Sequence, residues 1–294
     1  MTSESSSAAA RAGASPPASV SEGPLVVIQA HRGLFDLDLK SLWQYRELLY
    51  FLIWRDVKVR FKQTVIGAGW AILQPLLTML IFTVVFSYFA KIPSGGIPYP
   101  IFSFTALLPW TYFSQALTVS GASLVSSSNL ISKIYFPRLI IPIASTLSPL
   151  VDLGLNFIVL VGLMVWYRYT PIWAIVILPL FLLLAFATAL AVSLWLSALM
   201  VRYRDIRYII PFMVQFWLYA SPVAYPLSVV PEKWLLLYSL NPMVSVIEGF
   251  RWALLGAAPP DFKVMSISAT VVILLLLGGI VFFKRQEQSF ADVI

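Results

Sequence analysis

Residues 172–201 read IWAIVILPLFLLLAFATALAVSLWLSALMV, and the chain continues RYRDIR at 202–207. The first stretch carries no charge and exceeds the ~20 residues a helix needs to cross ~30 Å of hydrocarbon. The basic cluster after it marks the point where such a helix would leave the apolar layer. Working outward, five further apolar stretches appear, at about 66–90, 99–121, 139–167, 208–224 and 264–283. If the chain starts in the cytoplasm and each stretch crosses once, fifteen of the twenty Lys and Arg residues fall on the cytoplasmic side. Only Lys91, Arg168, Lys233, Arg251 and Lys263 fall outside. That imbalance is the positive-inside pattern. It predicts an all-α polytopic protein of the inner (plasma) membrane with six transmembrane helices and both termini cytoplasmic.

Composition agrees. Apolar residues make up 60% and charged residues 11% of the chain, proportions that do not suit a soluble domain. The net charge of +7 points away from nucleic acid, because the basic residues cluster beside span ends, where anionic headgroups lie. With no cysteine and one histidine, His31, there is no thiol nucleophile, disulfide framework or Cys-ligated metal.

Residues 1–24 are rich in Ser and Ala and lack a continuous apolar core, so they read as a disordered cytoplasmic tail rather than a secretory signal. Residues 25–39 suit a short strand or an irregular amphipathic segment, and 25–64 forms a cytoplasmic segment. Within it, 41–63 has an apolar run too short to span, rich in rings and followed by Arg55, Lys58, Arg60 and Lys62. This suits an amphipathic helix lying in the cytoplasmic interface; the alternative is a helix packed on another domain. The basic residues then anchor the helix on the cytoplasmic side.

The first cytoplasmic loop predicts a short helix at 123–135, ended by Pro137, exposing Ser127, Ser128, Asn129 and Lys133. The long external connection at 226–255 is too apolar for a loop. Its two halves, divided at Asn241-Pro242, are too short to span and read as a re-entrant helix pair. A cytoplasmic tail, 285–294, follows the last span.

Chemistry is conspicuous by what the sequence lacks. No GxxxxGK[ST] phosphate loop and no acid pair, metal cluster or nucleophile–base set can be assembled. Across the six spans Asp152 is the one mid-membrane ionisable residue. It either bonds a neighbouring helix, for instance through Asn156, or lines a polar pathway. Glu248 and Arg251 are spaced to pair on one helix face. If transport is active, its energy comes from another subunit, and 123–135 is the natural docking element. The aromatic inventory is large. Phe82, Phe86 and Phe89 recur at helical spacing in the first span, as do Phe212, Phe216 and Tyr219 in the fifth, near Trp217 and Tyr225. These rings either face lipid and pack, or form a sugar-stacking wall along which a polymer slides.

Four segments carry a resemblance: RDVKVRFK at 55–62 running to QPL at 74–76, NLISK at 129–133 with FPR at 136–138, RYRDI at 202–206, and YASPVAY at 219–225 with NPM at 241–243. In this order the chain resembles the membrane subunit of ABC-2-type exporters of polysaccharides and polyol phosphates. That family includes O-antigen, capsule and teichoic acid permeases. The resemblance implies a homodimer of six-span protomers bound to two copies of an ATP-binding subunit. ATP and Mg would sit on that partner, with no cofactor in this chain. It implies that 123–135 is the coupling helix, that the first and fifth spans line the channel, and that the re-entrant pair closes its outer mouth. The substrate is usually a polymer on undecaprenyl diphosphate, whose diphosphate Arg55, Lys58, Arg60 and Lys62 would attract. The expected function is export of a lipid-linked, O-antigen-like polysaccharide by a subunit that is not itself an enzyme. Export of a capsule or teichoic acid polymer, export of a small hydrophobic molecule, and an ATP-independent flippase or membrane enzyme are the rivals.

Overall fold

A computed structural model describes residues 39–62, 67, 69–287 and 290. The expectations for 1–24, for 25–38 and for most of the C-terminal tail lie outside the described residues. Among the described residues the regular secondary structure is all helical, with no strand.

Two helices open the described chain, α1 (Leu39–Gln44) and α2 (Arg46–Lys62). α3 (Gly69–Phe82) contains Pro75 and runs on into a π-helical stretch, Thr83–Phe89. α4 (Tyr99–Gly121) is followed by two single turns, α5 (Ser123–Ser126) and α6 (Ser128–Ile131). α7 (Ile140–Leu147) and α8 (Leu150–Trp166) are two pieces of one apolar stretch, broken at Ser148-Pro149. A 3-10 turn, Trp173–Ile177, leads into α9 (Leu178–Arg202). α10 (Ile206–Tyr219), α11 (Glu232–Ser239), α12 (Pro242–Leu255) and α13 (Phe262–Glu287) complete the order.

Among the described residues, four helical stretches are long and apolar enough to cross a membrane: Gly69–Phe89, Ile140–Trp166, Trp173–Arg202 and Phe262–Glu287. They correspond to the first, third, fourth and sixth expected spans. α4 has the length, with 23 residues, but Ser, Thr, Tyr and Gln interrupt its apolar sequence. α10 has 14 residues, or ~21 Å, less than the hydrocarbon thickness.

α4 is the hub of the packing. It contacts α3, α7, α8, α9, α10 and α12, and Phe104, Leu108, Tyr112, Phe113 and Leu117 are fully buried. Small residues set the closest approaches. At Gly249 of α12 the Phe181 ring occupies the place a Cβ would take. At Gly278 and Gly279 of α13 the Trp195 indole lies against the backbone, donates to the Leu275 carbonyl (3.1 Å) and stacks on Phe282 at 4.7 Å. Glycine permits such backbone proximity where any side chain would separate the helices. A second apolar cluster joins Leu52 of α2, Leu124 and Ile131 of the α5–α6 turns, Leu194 and Val201 of α9, and Phe283 and Phe290 at the C-terminal end.

Candidate functional site

The rings expected to form a wall separate into distinct environments. Phe82 is buried and meets Phe86 edge-on at 5.3 Å; Phe86 is half-buried. Phe89 is exposed, against Tyr88 at 5.3 Å. The reason is the π-helical stretch between them. The Ala90 amide bonds the Val85 carbonyl (2.9 Å), five residues back, so the wider turn rotates Phe89 away from the face that Phe82 and Phe86 share. Phe212, Phe216 and Tyr219 stand out from α10 at 74%, 68% and 60% exposure, so the described residues give them almost no partner. Trp217 points the other way. Its indole meets Phe113 of α4 at 4.9 Å and donates to Asn241 Oδ1 at 2.9 Å.

The end of α10 is tied down by polar contacts that local sequence patterns do not announce. Asn241 caps α12 by accepting from the Met243 amide (3.1 Å), and its own amide donates to the Ala220 carbonyl (3.1 Å) and Ser221 Oγ (2.9 Å). Arg251, 1% exposed, donates to the carbonyls of Val223 (2.8 Å) and Tyr225 (3.2 Å) and to Glu248 (2.9 Å). Its guanidinium lies 3.7 Å from the Phe102 ring centre, a cation–π contact in a desolvated place. Tyr99 donates to the Ala224 carbonyl at 2.6 Å. The 221–225 segment is thus held through its backbone by α4 and α12. Tyr225 donates to the Tyr219 carbonyl (3.0 Å) and accepts from the Tyr238 hydroxyl (2.6 Å). Burial, reinforced by Tyr238, pushes the Tyr225 phenol above its ordinary value. The expected Glu248–Arg251 pair is present; the reach of Arg251 to the carbonyls was not foreseen. A charged residue inside an apolar segment was its one signal. Glu248 and Arg251 also border a cavity of ≈ 680 Å³ shared with Ser94, Ser228 and Asp261.

The basic cluster on α2 divides in two. Leu48, Leu52 and Ile53 turn inward, and α2 packs on α7. Arg60 pairs with Asp152 of α8, which is 3% exposed, and reaches Ser148 at 3.4 Å. Asp152 is therefore bonded to a neighbouring helix, through Arg60 rather than Asn156. Asn156 instead donates to the Ala71 carbonyl (3.0 Å) and the Asp152 carbonyl (2.9 Å). Arg55 bonds Asp56 at 2.8 Å, and Asp56 accepts from Ser145 at 3.2 Å. Lys58 and Lys62 remain exposed, in line with the exposed rings of Tyr50 and Trp54. No spacing rule links residues 60 and 152, so this pairing was invisible in the sequence.

The loop at 123–135 is not one helix. α5 and α6 are separate turns meeting at Ser127, and the helix ends at Ile131 rather than Tyr135. Ser123 and Ser126 donate back to the carbonyls of Ser120 (2.7 Å) and Ala122 (2.8 Å); such side-chain bonds compete with helix propagation. Ser127 is buried and Ser128 half-buried, whereas Asn129 and Lys133 are exposed beside Ile134 and Tyr135. The loop is anchored from the far end of the chain, where Arg138 bonds the carbonyl of Glu287 and its amide donates to the Glu287 carboxylate (3.3 Å).

Comparison with known proteins places these features in a lineage. Among curated relatives, an O-antigen export system permease protein RfbA of Myxococcus xanthus is 30% identical over 260 residues, covering 87% of this chain and 98% of the relative. An RfbA of Klebsiella pneumoniae is 27% identical over 84% of this chain and 95% of the relative. A polysialic acid transport protein KpsM of Escherichia coli is 22% identical over 81% and 93%. Residues 47–255 match the family described as ABC-2 type transporter, a match that runs from the start of α2 to the end of α12, and the chain therefore belongs to the ABC-2 type transporter family.

Proposed function

We propose that this chain is the permease subunit of an ATP-driven exporter that moves a lipid-linked, O-antigen-like cell-surface polysaccharide from the cytoplasm across the inner membrane. The observation that carries the reading is the near full-length similarity to relatives named as O-antigen export permeases. The row of exposed rings on α10, with half-buried Phe86 and exposed Phe89 in the π-helical stretch after α3, supports it chemically, since the C–H faces of sugars pack on aromatic rings. In this reading α4 and α10 complete a set of six spans. α11 and α12 are the re-entrant pair, α2 lies in the cytoplasmic interface, and both termini are cytoplasmic. The working unit is a homodimer with two ATP-binding subunits, which carry the ATP and Mg. This chain contributes no catalysis of its own.

The geometry supports the following mechanism. The exposed residues of the 123–135 loop, Asn129 and Lys133 with Ile134 and Tyr135, dock the ATPase, while buried Ser127 and half-buried Ser128 fix the loop to the bundle. The loop touches α7 and α9, so a push on it reaches the bundle directly. Lys58 and Lys62, whose charges are unpaired within the described residues, attract the lipid diphosphate. Arg55 contributes, and Arg60 chiefly anchors α2. The polymer then slides past Phe86, Phe89, Phe212, Phe216 and Tyr219. Trp217 and Tyr225 hold the end of α10 in register, and Phe82 braces Phe86 from the core.

The similarity to polysialic acid transport proteins favours a second reading, export of an acidic capsular polymer. Deletion of the gene, with analysis of surface polymer and lipid-linked glycan in the membrane fraction, tests both. Loss of surface polymer with undecaprenyl-linked glycan retained on the cytoplasmic side is expected. Retention on a different lipid favours the capsule reading. Unchanged polymer in both pools would refute polysaccharide export and favour a small hydrophobic substrate.

A further inference from the structure

α4 presents two unlike faces. Tyr112, Phe113, Ala116, Leu117 and Ser120 are buried. The opposite side is half-open, and along it lie Thr111, Ser114, Gln115 and Thr118, with Val119 the apolar exception. These positions recur at helical spacing, so the four polar residues form one strip. A helix surface left open to lipid in a membrane protein is normally apolar. This strip is the reverse, and it belongs to the helix on which both ring-bearing helices, α3 and α10, pack.

The hydrogen bonding of the strip is one-sided. Thr111, Ser114 and Thr118 donate their protons back to the carbonyls of Leu108 (3.0 Å), Thr111 (3.4 Å) and Ser114 (2.8 Å). Each hydroxyl oxygen therefore keeps a lone pair for an incoming donor. Gln115 is half-exposed, but its Oε1 is turned below the surface without a partner, an orphaned acceptor that costs free energy until the side chain swings out to a donor. On α10 the exposed Gln215 offers an amide that presently contacts the Tyr219 hydroxyl at 3.3 Å. A ligand that satisfies this surface must be rich in donors, carry no need for a counter-charge, and bind each point weakly.

We propose that Thr111, Ser114, Gln115 and Thr118 form an acceptor strip that hydrogen-bonds the hydroxyl groups of the passing glycan, complementing ring faces that contact its C–H surfaces. This rests on the polysaccharide export reading above. Rings alone take any sugar face. A strip of acceptors discriminates by the number and placement of free hydroxyls, so it sets which repeat units pass.

The test uses the full transporter with its partner ATPase. Gln115→Leu and Thr118→Val, singly and together, remove acceptors at nearly constant volume, and Thr118→Ser retains the hydroxyl. Surface polymer is expected to fall about fivefold for each lost bond, with lipid-linked glycan accumulating, while Thr118→Ser stays within about twofold of wild type. Co-purification with a second, differently tagged copy is expected to persist. Wild-type polymer levels in the double variant would overturn the proposal, as would loss of co-purification, which would assign the strip to a seam between copies. If the double variant does not accumulate in the membrane, Thr118→Val alone, at an exposed position, gives the same readout. The gene deletion separates the two readings: polymer lost on deletion but kept in the variants sinks only the strip.

Discussion

Replacing Arg251 with Met removes a buried guanidinium while keeping most of its aliphatic volume. Three hydrogen bonds disappear, to the carbonyls of Val223 and Tyr225 and to Glu248. Replacing both members of a buried ion pair by apolar groups is often neutral, because the desolvation cost vanishes with them. Here the loss is one-sided. The Val223 carbonyl stays buried and the Tyr225 carbonyl part-buried, both without a donor, at about 1–3 kcal/mol each. Glu248 is less penalised, because it borders the ≈ 680 Å³ cavity and regains water there. The net cost is about 3–5 kcal/mol. For a domain of this size that lowers the apparent Tm of the purified transporter by roughly 10 °C. Glu248→Gln keeps an acceptor for Arg251 and leaves both carbonyl bonds intact, so it costs ~1 kcal/mol. Fluorescence-monitored thermal unfolding in one detergent, with both variants beside wild type, measures the difference. A fall of less than about 2 °C for Arg251→Met, or equal falls for the two variants, would refute the claim that the carbonyl bonds hold the 221–225 segment.

Other parts of the structure respond as follows. Arg60→Met strands Asp152 in the packed bundle and is expected to cost ~3–5 kcal/mol, whereas the double variant Arg60→Met with Asp152→Leu recovers most of that loss; a thermal-unfolding cycle that came out additive would deny the pairing. Asn241→Ala removes the cap on α12 and the tether to Trp217 and Ala220, an expected loss of ~2 kcal/mol by the same assay. Lys58→Gln with Lys62→Gln weakens the enrichment of anionic over zwitterionic lipid beside the bilayer-reconstituted complex by about 1 kcal/mol per lysine while leaving Tm unchanged, which tryptophan quenching by a labelled anionic lipid at two salt concentrations checks.

Much of the framework could be read from apolar runs and basic stops. Those patterns report one helix at a time, which is why helices appear at Tyr99–Gly121 and Pro242–Leu255 where the sequence places them. Of the two halves divided at Asn241-Pro242, the first, α11, is only eight residues, Glu232–Ser239, because Pro231 and Asn241-Pro242 bound it. The π-helical stretch escaped notice because nothing in TVVFSYF departs from α-helical periodicity. It alone removes Phe89 from the face shared by Phe82 and Phe86. Long-range polar ties were equally hidden. Arg60 to Asp152 and Arg251 to Val223 depend on how helices cross, and amino-acid order fixes that only through the whole packing. The single-helix reading of 123–135 failed where serines bond their own backbone.

The π-helical stretch at Thr83–Phe89 also bears on how this chain is to be aligned with its relatives. A turn closed by bonds five residues back accommodates one residue more than an α-helical turn. A single-residue insertion can be absorbed in this way inside a helix without a loop. A relative whose first span is regular α-helix matches this chain in register before Phe82, then slips by one position after Phe89. An ungapped comparison would pair Tyr88 or Phe89 with a residue facing another direction. Ring positions beyond Phe82 are comparable with such a relative only after one gap is placed within residues 83–89.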